Sequence, residues 1–259
     1  MSCEPHRPID WRAIVVFFVL ACAWSWPLFW WRDMHPDSFA AFPLPQPLKY
    51  TLLMWGPGLA ALVCLRLFRA RHRRTVSMAG GARWRALAFY ALPMLALALV
   101  GVPGGGSRGS VHALVLVIAA VAFVNVLGEE LGWRGFLQDA LRPLARPGRY
   151  LLIGLMWVAW HFTNLFAHRE GAELWIYLAW YVPFTIALSA LIGEATDRAR
   201  ALVVAVTLHA WLNLLWEFAA PGTWLVFVLA VPFWGWMLWR WPATAHQVAP
   251  APSAAHDRA

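Results

Sequence analysis

Charged residues are scarce in this sequence, and lysine is almost missing. Only 13% of the 259 residues are charged, and Lys49 stands alone beside 20 arginines. Soluble domains carry about 25% charged and about 45–50% apolar residues. Here 61% are apolar, 19 are tryptophan and the mean hydropathy is +0.56. A soluble domain could not bury that much apolar surface, so the composition predicts an all-α polytopic membrane protein.

Several familiar site patterns are also missing. The three cysteines, Cys3, Cys22 and Cys64, form no CxxC or Cys/His spacing, which excludes a disulfide framework and a zinc knuckle. HExxH, P-loop and Rossmann glycine patterns do not occur. Residues 105–109 match GxSxG, but they lie in a glycine-rich connection without a preceding strand, so we read the match as chance. No cofactor or metal is predicted.

Apolar stretches long enough to cross a bilayer need about 20 residues. Eight are read from the sequence, at approximately 11–31, 48–68, 85–103, 111–141, 150–167, 173–192, 201–219 and 222–241. The first is read as an uncleaved anchor, because it ends in tryptophans without a small-residue cleavage site. We expect one transmembrane domain over residues 1–241, with a motif-bearing core at 111–219 and a disordered cytosolic tail at 242–259. The expected architecture is about eight helices around a polar cavity open toward the cytosol.

The arginines indicate the orientation. They cluster in short segments between apolar runs, which is a membrane pattern rather than a basic face for nucleic acid. With a cytosolic N-terminus, 17 of the 21 basic residues fall inside and 4 outside. The positive-inside rule therefore predicts cytosolic termini in a cell inner membrane, with the lipid bilayer and not nucleic acid as partner.

Ionisable side chains inside a span cost roughly 2.5–3.5 kcal/mol each on insertion scales, so each requires a reason. Glu129, Glu130 and Arg134 lie on the fourth span, His161 on the fifth, and His209 and Asn213 on the seventh. Residues four apart share a helix face, so Glu130 can pair with Arg134, and His209 aligns with Asn213. Glu129 points about 100° away from Glu130 and is free to face the bundle interior.

Depth brings the three spans together. At 1.5 Å per residue, His161 lies about 16 Å and His209 about 12 Å from the cytosolic starts of their spans, and Glu129 about 20 Å from a cytosolic end. A buried carboxylate can accept a proton from water, a neutral histidine can orient that water, and a second histidine with an amide can donate to an oxyanion. The pattern predicts a hydrolase without a covalent nucleophile, acting on peptide bonds or on other amides or esters.

Alternatives stay open at this point. Glu129 could be a second partner of Arg134, His161 a buried hydrogen-bonded histidine, and Asn213 a contact between helices. Glu129, His161 and His209 could instead ligate zinc, since three such ligands and a water suit that ion. A non-catalytic immunity or regulatory protein is another possibility. A transporter is less favoured, because no inverted repeat is visible.

The sequence resembles the CAAX-protease and bacteriocin-processing family of intramembrane glutamic peptidases, relatives of the Ras-converting prenyl-protein endopeptidase. EExxxR occurs at Glu129–Arg134, an FxxxH-like motif at Trp157–His161, and HxxxN at His209–Asn213. Gly56-Pro57-Gly58 also looks like that family's usual sequence. Trp157 stands where the family usually has phenylalanine.

The resemblance covers about residues 48–215 and implies eight spans. It implies that Glu129, helped by His161, activates water, that His209 and Asn213 form the oxyanion site, and that Glu130 and Arg134 support the architecture. By the same resemblance, the substrate would be a peptide precursor or a membrane protein, prenylated in the case of the eukaryotic relatives.

Overall fold

The computed structural model describes residues 8–68, 74–103, 110–166 and 169–242. Within these ranges the chain is almost wholly helical. The helices are α1 Trp11–Met34, α2 Pro36–Ala41, α3 Gln46–Met54, α4 Gly56–Leu67, α5 Arg83–Val100, α6 Ala113–Gly132, a π-helical turn Trp133–Leu137, α7 Gln138–Ala140, α8 Arg146–Trp160, α9 Phe162–Phe166, α10 Gly171–Ala199, α11 Leu202–Glu217 and α12 Pro221–Trp239. Two short strands, β1 Val102–Pro103 and β2 Ser110–Val111, pair antiparallel between α5 and α6.

The predicted all-α polytopic membrane protein is confirmed, but the count of eight spans is not. In the described part of the chain, five helices are long and apolar enough to cross a bilayer: α1, α5, the continuous helix Ala113–Ala140, α10 and α12. A bent pair, α3 and α4, would make six. The predicted fifth and seventh spans correspond to α8, with 15 residues, and α11, with 16. These helices are about 22–24 Å long, shorter than the roughly 30 Å hydrocarbon core.

The predicted second span is broken rather than continuous. The chain bends by 46° between α3 and α4. Trp55 ends α3, and Gly56 and Pro57 begin α4. Proline lacks an amide hydrogen and disfavours helical conformation in the residue before it, so this sequence ends one helix and starts another.

Helices α4 and α6 approach each other closely through small residues. A Cβ atom added at Gly132 would lie 2.4 Å from Pro57 Cβ, and one added at Gly58 would lie 2.7 Å from the Gly128 carbonyl oxygen. Gly128 and Gly132 are four residues apart, the spacing that lets two membrane helices pack backbone to backbone. This contact fixes the segment of α6 that carries Glu129 and Glu130.

Helix α6 and the π turn lie between two groups of packed helices. One buried cluster joins α1, α4, α8 and the π turn around Phe17, Trp133 and Trp160. The other joins α5, α11 and α12 around Phe89, Trp211 and Trp234. Helix α6 contacts α4 on one side and α11 on the other. Its polar residues are therefore placed where both groups can reach them.

A buried ionic network, which we call the Asp197 network, ties α7, α8, α10 and the segment before α5 together. Its members are Thr75, Asp139, Arg142, Arg149, Tyr150, Asp197 and Arg200. Tyr150 Oη donates to Asp197 Oδ2 at 2.8 Å, and Arg149 also donates to that oxygen. Arg142 Nη2 donates to Asp139 Oδ1 at 2.8 Å and reaches Asp197 Oδ1 at 3.4 Å.

At Gly80, the segment before α5 packs closely against the junction of α10 and α11. Its φ is +56°, and a Cβ atom there would lie 2.0 Å from the Ala199 carbonyl oxygen. Beside it, the Ser77 amide donates to Arg200 O at 3.0 Å, and the Leu202 amide donates to Ser77 O at 2.8 Å. A left-handed backbone and this close approach both require glycine.

Two sequence predictions concern residues outside the described ranges. The glycine-rich connection with the GxSxG match lies at residues 104–109, which are outside the described ranges. The predicted disordered tail, 242–259, also lies outside them, apart from its first residue, Pro242.

Candidate active site

The two glutamates of α6 face different neighbours, as their 100° offset predicts. Both are buried, with exposed fractions of 3% for Glu129 and 0% for Glu130. Glu129 Oε2 accepts a hydrogen bond from Trp157 Nε1 of α8 at 2.9 Å. Glu130 Oε1 instead contacts His209 Nδ1 of α11 at 2.7 Å. Adjacent residues of one helix thus reach two different helices, α8 and α11.

Arg134 lies in the π turn that follows α6. Its Nη1 donates to Glu130 Oε1 at 2.8 Å, which is the ion pair expected from the four-residue spacing. The guanidinium carbon lies 4.7 Å from the centre of the Trp157 ring. A π-helical turn shifts the helix register by one residue and is frequent at functional sites. Here it carries a fully buried cation against a buried carboxylate and an aromatic face.

His161 sits at the C-terminal end of α8 rather than within a longer span. Its Nδ1 lies 2.9 Å from the Trp157 carbonyl oxygen. A carbonyl oxygen only accepts, so Nδ1 carries the hydrogen, and the lone pair of a neutral ring is on Nε2. His161 is also near enough to Glu129 and His209 to interact with both electrostatically. A neutral His161 ring therefore has Nε2 available to accept a hydrogen bond.

His209 is held by Glu130, a partner that the sequence analysis did not assign to it. Since Glu130 is also paired with Arg134, its carboxylate accepts, and His209 Nδ1 donates. The remaining nitrogen, Nε2, can donate only when the ring is protonated, with Glu130 as counter-ion. A neutral ring would offer a lone pair there instead. His209 Nε2 can therefore stabilise an oxyanion only in the protonated ring. In the neutral ring the same atom could act as a metal ligand or as a base.

Asn213 lies one helical turn beyond His209, and its side chain is exposed. The structure therefore brings together Glu129, Glu130, Arg134, His161 and His209, and leaves Asn213 accessible at the edge of that group. The polar cavity open toward the cytosol stays a prediction.

Two contributions were missed by sequence reasoning. Trp157 was recognised only as the aromatic position of a motif, yet it contacts Glu129, Arg134, His161 and His209. Tyr181 of α10 has its ring centre 6.3 Å from that of His161 and interacts electrostatically with Glu129. The spacing of Tyr177 and Tyr181, which stack at 5.1 Å, was the available signal for an aromatic face there.

The zinc alternative would require Glu129, His161 and His209 to surround one ion. Among the described residues, no group of three or more histidine, cysteine, aspartate or glutamate side chains is arranged to hold a metal ion. Glu129 and His209 each engage a different protein partner, Trp157 and Glu130 respectively.

The comparisons with known proteins concern the segment that carries these residues. Residues 111–215 match the family of type II CAAX prenyl endopeptidases described as Rce1-like. The segment is therefore similar to that family. It contains all three motifs, and the predicted relationship to the CAAX-protease family is confirmed. The match includes α6, α8 and most of α11, the helices that carry the site.

A curated relative is the CAAX prenyl protease 2 of Methanococcus maripaludis, which is 24% identical over 147 residues. The alignment covers 47% of this chain and 51% of the relative, so the chain spans about half the length of the curated relative that it matches.

Proposed function

We propose that the chain is an intramembrane endopeptidase of the CAAX-protease type in which Glu129 and His161 activate a water molecule. The observation that carries the proposal is the convergence of Glu129 from α6, His161 from α8 and His209 from α11 around Trp157, with both Glu129 and His209 buried and His161 partly buried. Isolated ionisable residues at such a depth are costly. Their assembly from three helices that are distant in sequence favours a shared chemical task.

The proposed reaction begins with water between Glu129 and His161 Nε2. Glu129 takes a proton from the water while the oxygen of that water attacks the carbonyl carbon of the substrate peptide bond. The negative charge that develops on the carbonyl oxygen is met by His209 Nε2, protonated and balanced by Glu130, and by the accessible Asn213 amide. When the C–N bond breaks, Glu129 returns the proton to the leaving amine. No covalent enzyme intermediate is needed.

Glu130 and Arg134 are supporting residues in this proposal. Glu130 accepts from both Arg134 and His209, so it fixes the orientation of the histidine and balances charge. The flat guanidinium of Arg134 packs against Trp157 while donating to Glu130. A lysine, which is a point charge on a flexible stem, would not reproduce both contacts.

The substrate and setting are part of the proposal. The relationship to CAAX endopeptidases favours a membrane-anchored peptide segment, either a CAAX-like C-terminus or a peptide precursor. The arginine distribution favours cytosolic termini in the inner membrane, with a single peptidase domain over residues 1–241.

Proteolysis is tested by comparing peptide termini. Membranes are taken from a deletion strain that carries either wild type or Glu129→Gln, at equal expression, and protein termini are identified by mass spectrometry. New termini that require wild type support the proposal and identify the substrate. Equal termini, together with rescue of the deletion phenotype by Glu129→Gln, would favour a non-catalytic immunity or regulatory role.

Measurements on the purified protein distinguish the proposed metal-independent mechanism from a zinc-dependent one. Cleavage of an identified peptide is measured after treatment with a strong chelator, and again after zinc is added back. The proposed mechanism predicts unchanged activity. Loss with the chelator and recovery with zinc would replace it by a zinc hydrolase using Glu129, His161 and His209.

A further inference from the structure

We propose that Trp157 is a positioning residue that holds Glu129 through its indole N–H and His161 through its backbone carbonyl, setting their relative placement. The inference rests on the proposed function, because it concerns how the water-activating pair is aligned. Trp157 is 2% exposed and lies on α8, one turn before His161. Its N–H group bonds to the carboxylate of a different helix.

The bond from Trp157 Nε1 to Glu129 Oε2 is 2.9 Å long and buried. A hydrogen bond to a charged acceptor contributes more than a neutral one, and a buried carboxylate without a donor bears an uncompensated desolvation cost. The indole satisfies one oxygen without carrying a charge that would neutralise it. Glu129 is thereby held in one orientation while it remains able to act as a base.

The carbonyl of Trp157 acts on the other member of the pair. It accepts from His161 Nδ1 at 2.9 Å and also from the His161 backbone amide at 3.2 Å. The first bond selects the ring form with its lone pair on Nε2. One residue therefore determines both the direction of the carboxylate, through its side chain, and the form of the imidazole, through its backbone carbonyl.

The faces and edges of the indole are also engaged. Arg134 lies over the ring at 4.7 Å, and the His209 ring meets it edge-on with centres 4.9 Å apart. The ring cannot rotate without disturbing these contacts, so the N–H direction is fixed. A phenylalanine at this position could keep much of the packing, but it has no N–H to donate.

Other buried tryptophans show that an indole N–H is not automatically used. In the described part of the chain, the Nε1 atoms of Trp133, Trp160 and Trp211 have no hydrogen-bond partner. Trp133 is 0% exposed and packs edge-on against Phe17 and Trp160. It offers a control in which the same substitution removes the same atoms from a buried site but no bond to a carboxylate.

The test compares Trp157→Phe with Trp133→Phe in the purified, membrane-reconstituted protein. The probes are an internally quenched peptide ending in a farnesylated CAAX sequence, the same peptide without the lipid, and the cleaved segment identified from peptide termini. We expect Trp157→Phe to lower kcat by about tenfold to a hundredfold, the range for losing a hydrogen bond to a charged group. KM should stay within about twofold, because the lost bond acts on water activation rather than on substrate binding.

A double-mutant cycle with Glu129→Asp separates positioning from packing. The shorter aspartate withdraws the carboxylate from Nε1, so adding Trp157→Phe to Glu129→Asp should lower kcat by less than about threefold further. Trp133→Phe should change kcat by less than about threefold in both backgrounds. Equal effects of Trp157→Phe and Trp133→Phe, or a full additional loss in the Glu129→Asp background, would overturn the inference.

A second variant covers the case in which Trp157→Phe does not fold. Replacement of Trp157 by 3-benzothienylalanine keeps the two fused rings and exchanges only the N–H for sulfur. The same loss of kcat supports positioning, and wild-type kcat contradicts it. If wild type shows no Glu129-dependent cleavage of any probe, both the proposed function and the inference about Trp157 are contradicted. If cleavage depends on Glu129 but not on the indole N–H, only the inference fails.

Discussion

The candidate site and the Asp197 network both place arginines against buried carboxylates, but they use the carboxylates differently. In the network, every carboxylate oxygen of Asp139 and Asp197 has a partner, contributed by Thr75, Arg142, Arg149 or Tyr150. In the site, a carboxylate oxygen, Glu130 Oε2, has no hydrogen-bond partner among the described residues, and neither have two nitrogens of Arg134, whereas one arginine nitrogen of the network, Arg149 Nε, is unpartnered.

The difference indicates separate tasks. A buried polar network with all its acceptors paired makes its segments rigid, whereas unpaired buried polar atoms are costly and require an explanation. In the site, the unused acceptor belongs to Glu130 and the unused donors to Arg134, which the proposed function places beside the bound substrate and water. The network is therefore interpreted as structural support and the site as chemistry, and substitutions can separate the two.

The largest expected effect is on activity, from Glu129→Gln. The amide keeps the shape but cannot take a proton, so peptidase activity should fall by about a thousandfold or more, within the range for losing a general base and its hydrogen bonds. Thermal stability in detergent should be unchanged within a few degrees. A stable variant with at least a tenth of wild-type kcat would contradict the role of Glu129.

Asp197→Asn should show the reverse pattern. Removing the charge leaves Arg149 and Arg142 without their shared anion, and breaking a buried pair typically costs about 3–5 kcal/mol. The thermal midpoint should fall by roughly 6–12 °C, taking about 3 kcal/mol and 2–4 °C per kcal/mol for a chain of this size. The kcat of the protein that remains folded should stay close to wild type. A large loss of kcat without destabilisation would place the network in the chemistry.

Gly132→Ala tests the contact between α4 and α6 without changing any charge. The added Cβ would lie 2.4 Å from Pro57 Cβ, so overpacking should cost about 1–3 kcal/mol and move Glu129 and Glu130. Stability and activity should both decrease. Gly235→Ala in α12 is the matched control: its Cβ would meet no atom within 4 Å, and alanine in a helix interior should be neutral or slightly stabilising. Equal behaviour of the two variants would argue against close packing at Gly132.

The smallest effect is expected from Glu194→Gln, at the exposed edge of the network. Glu194 pairs with Arg146 at 2.8 Å, and the two side chains are 53% and 63% exposed. Solvent and salt screen such a pair, so the loss should be less than about 1 kcal/mol. The difference between the thermal midpoints of Glu194→Gln and Asp197→Asn then measures how much of the network's contribution to the free energy of unfolding depends on burial. A loss as large as that of Asp197→Asn would contradict this view.

The sequence determined the class of protein, the all-α fold and the pairing of Glu130 with Arg134. Composition and the length of the apolar runs predict a bundle of membrane helices, because a soluble domain of this size could not bury so much apolar surface. Helical spacing fixed the relation between Glu129, Glu130 and Arg134, because these residues lie within one rigid element. The break at Gly56-Pro57 was also readable in principle, since proline interrupts helices for local reasons, but the run of hydropathy suggested a continuous span.

Only the tertiary structure decided which helix each glutamate meets. The pairing of Glu130 with His209, and of Glu129 with Trp157, depends on how α6 packs against α4 and α11. The close approach of α4 at Gly58 and Gly132 fixes that packing. The Asp197 network joins residues as far apart as Thr75 and Arg200, so no local spacing signals it. The predicted count of eight spans is not confirmed, because α8 and α11 are shorter than a bilayer-crossing helix requires. A run of apolar residues does not record where a helix stops.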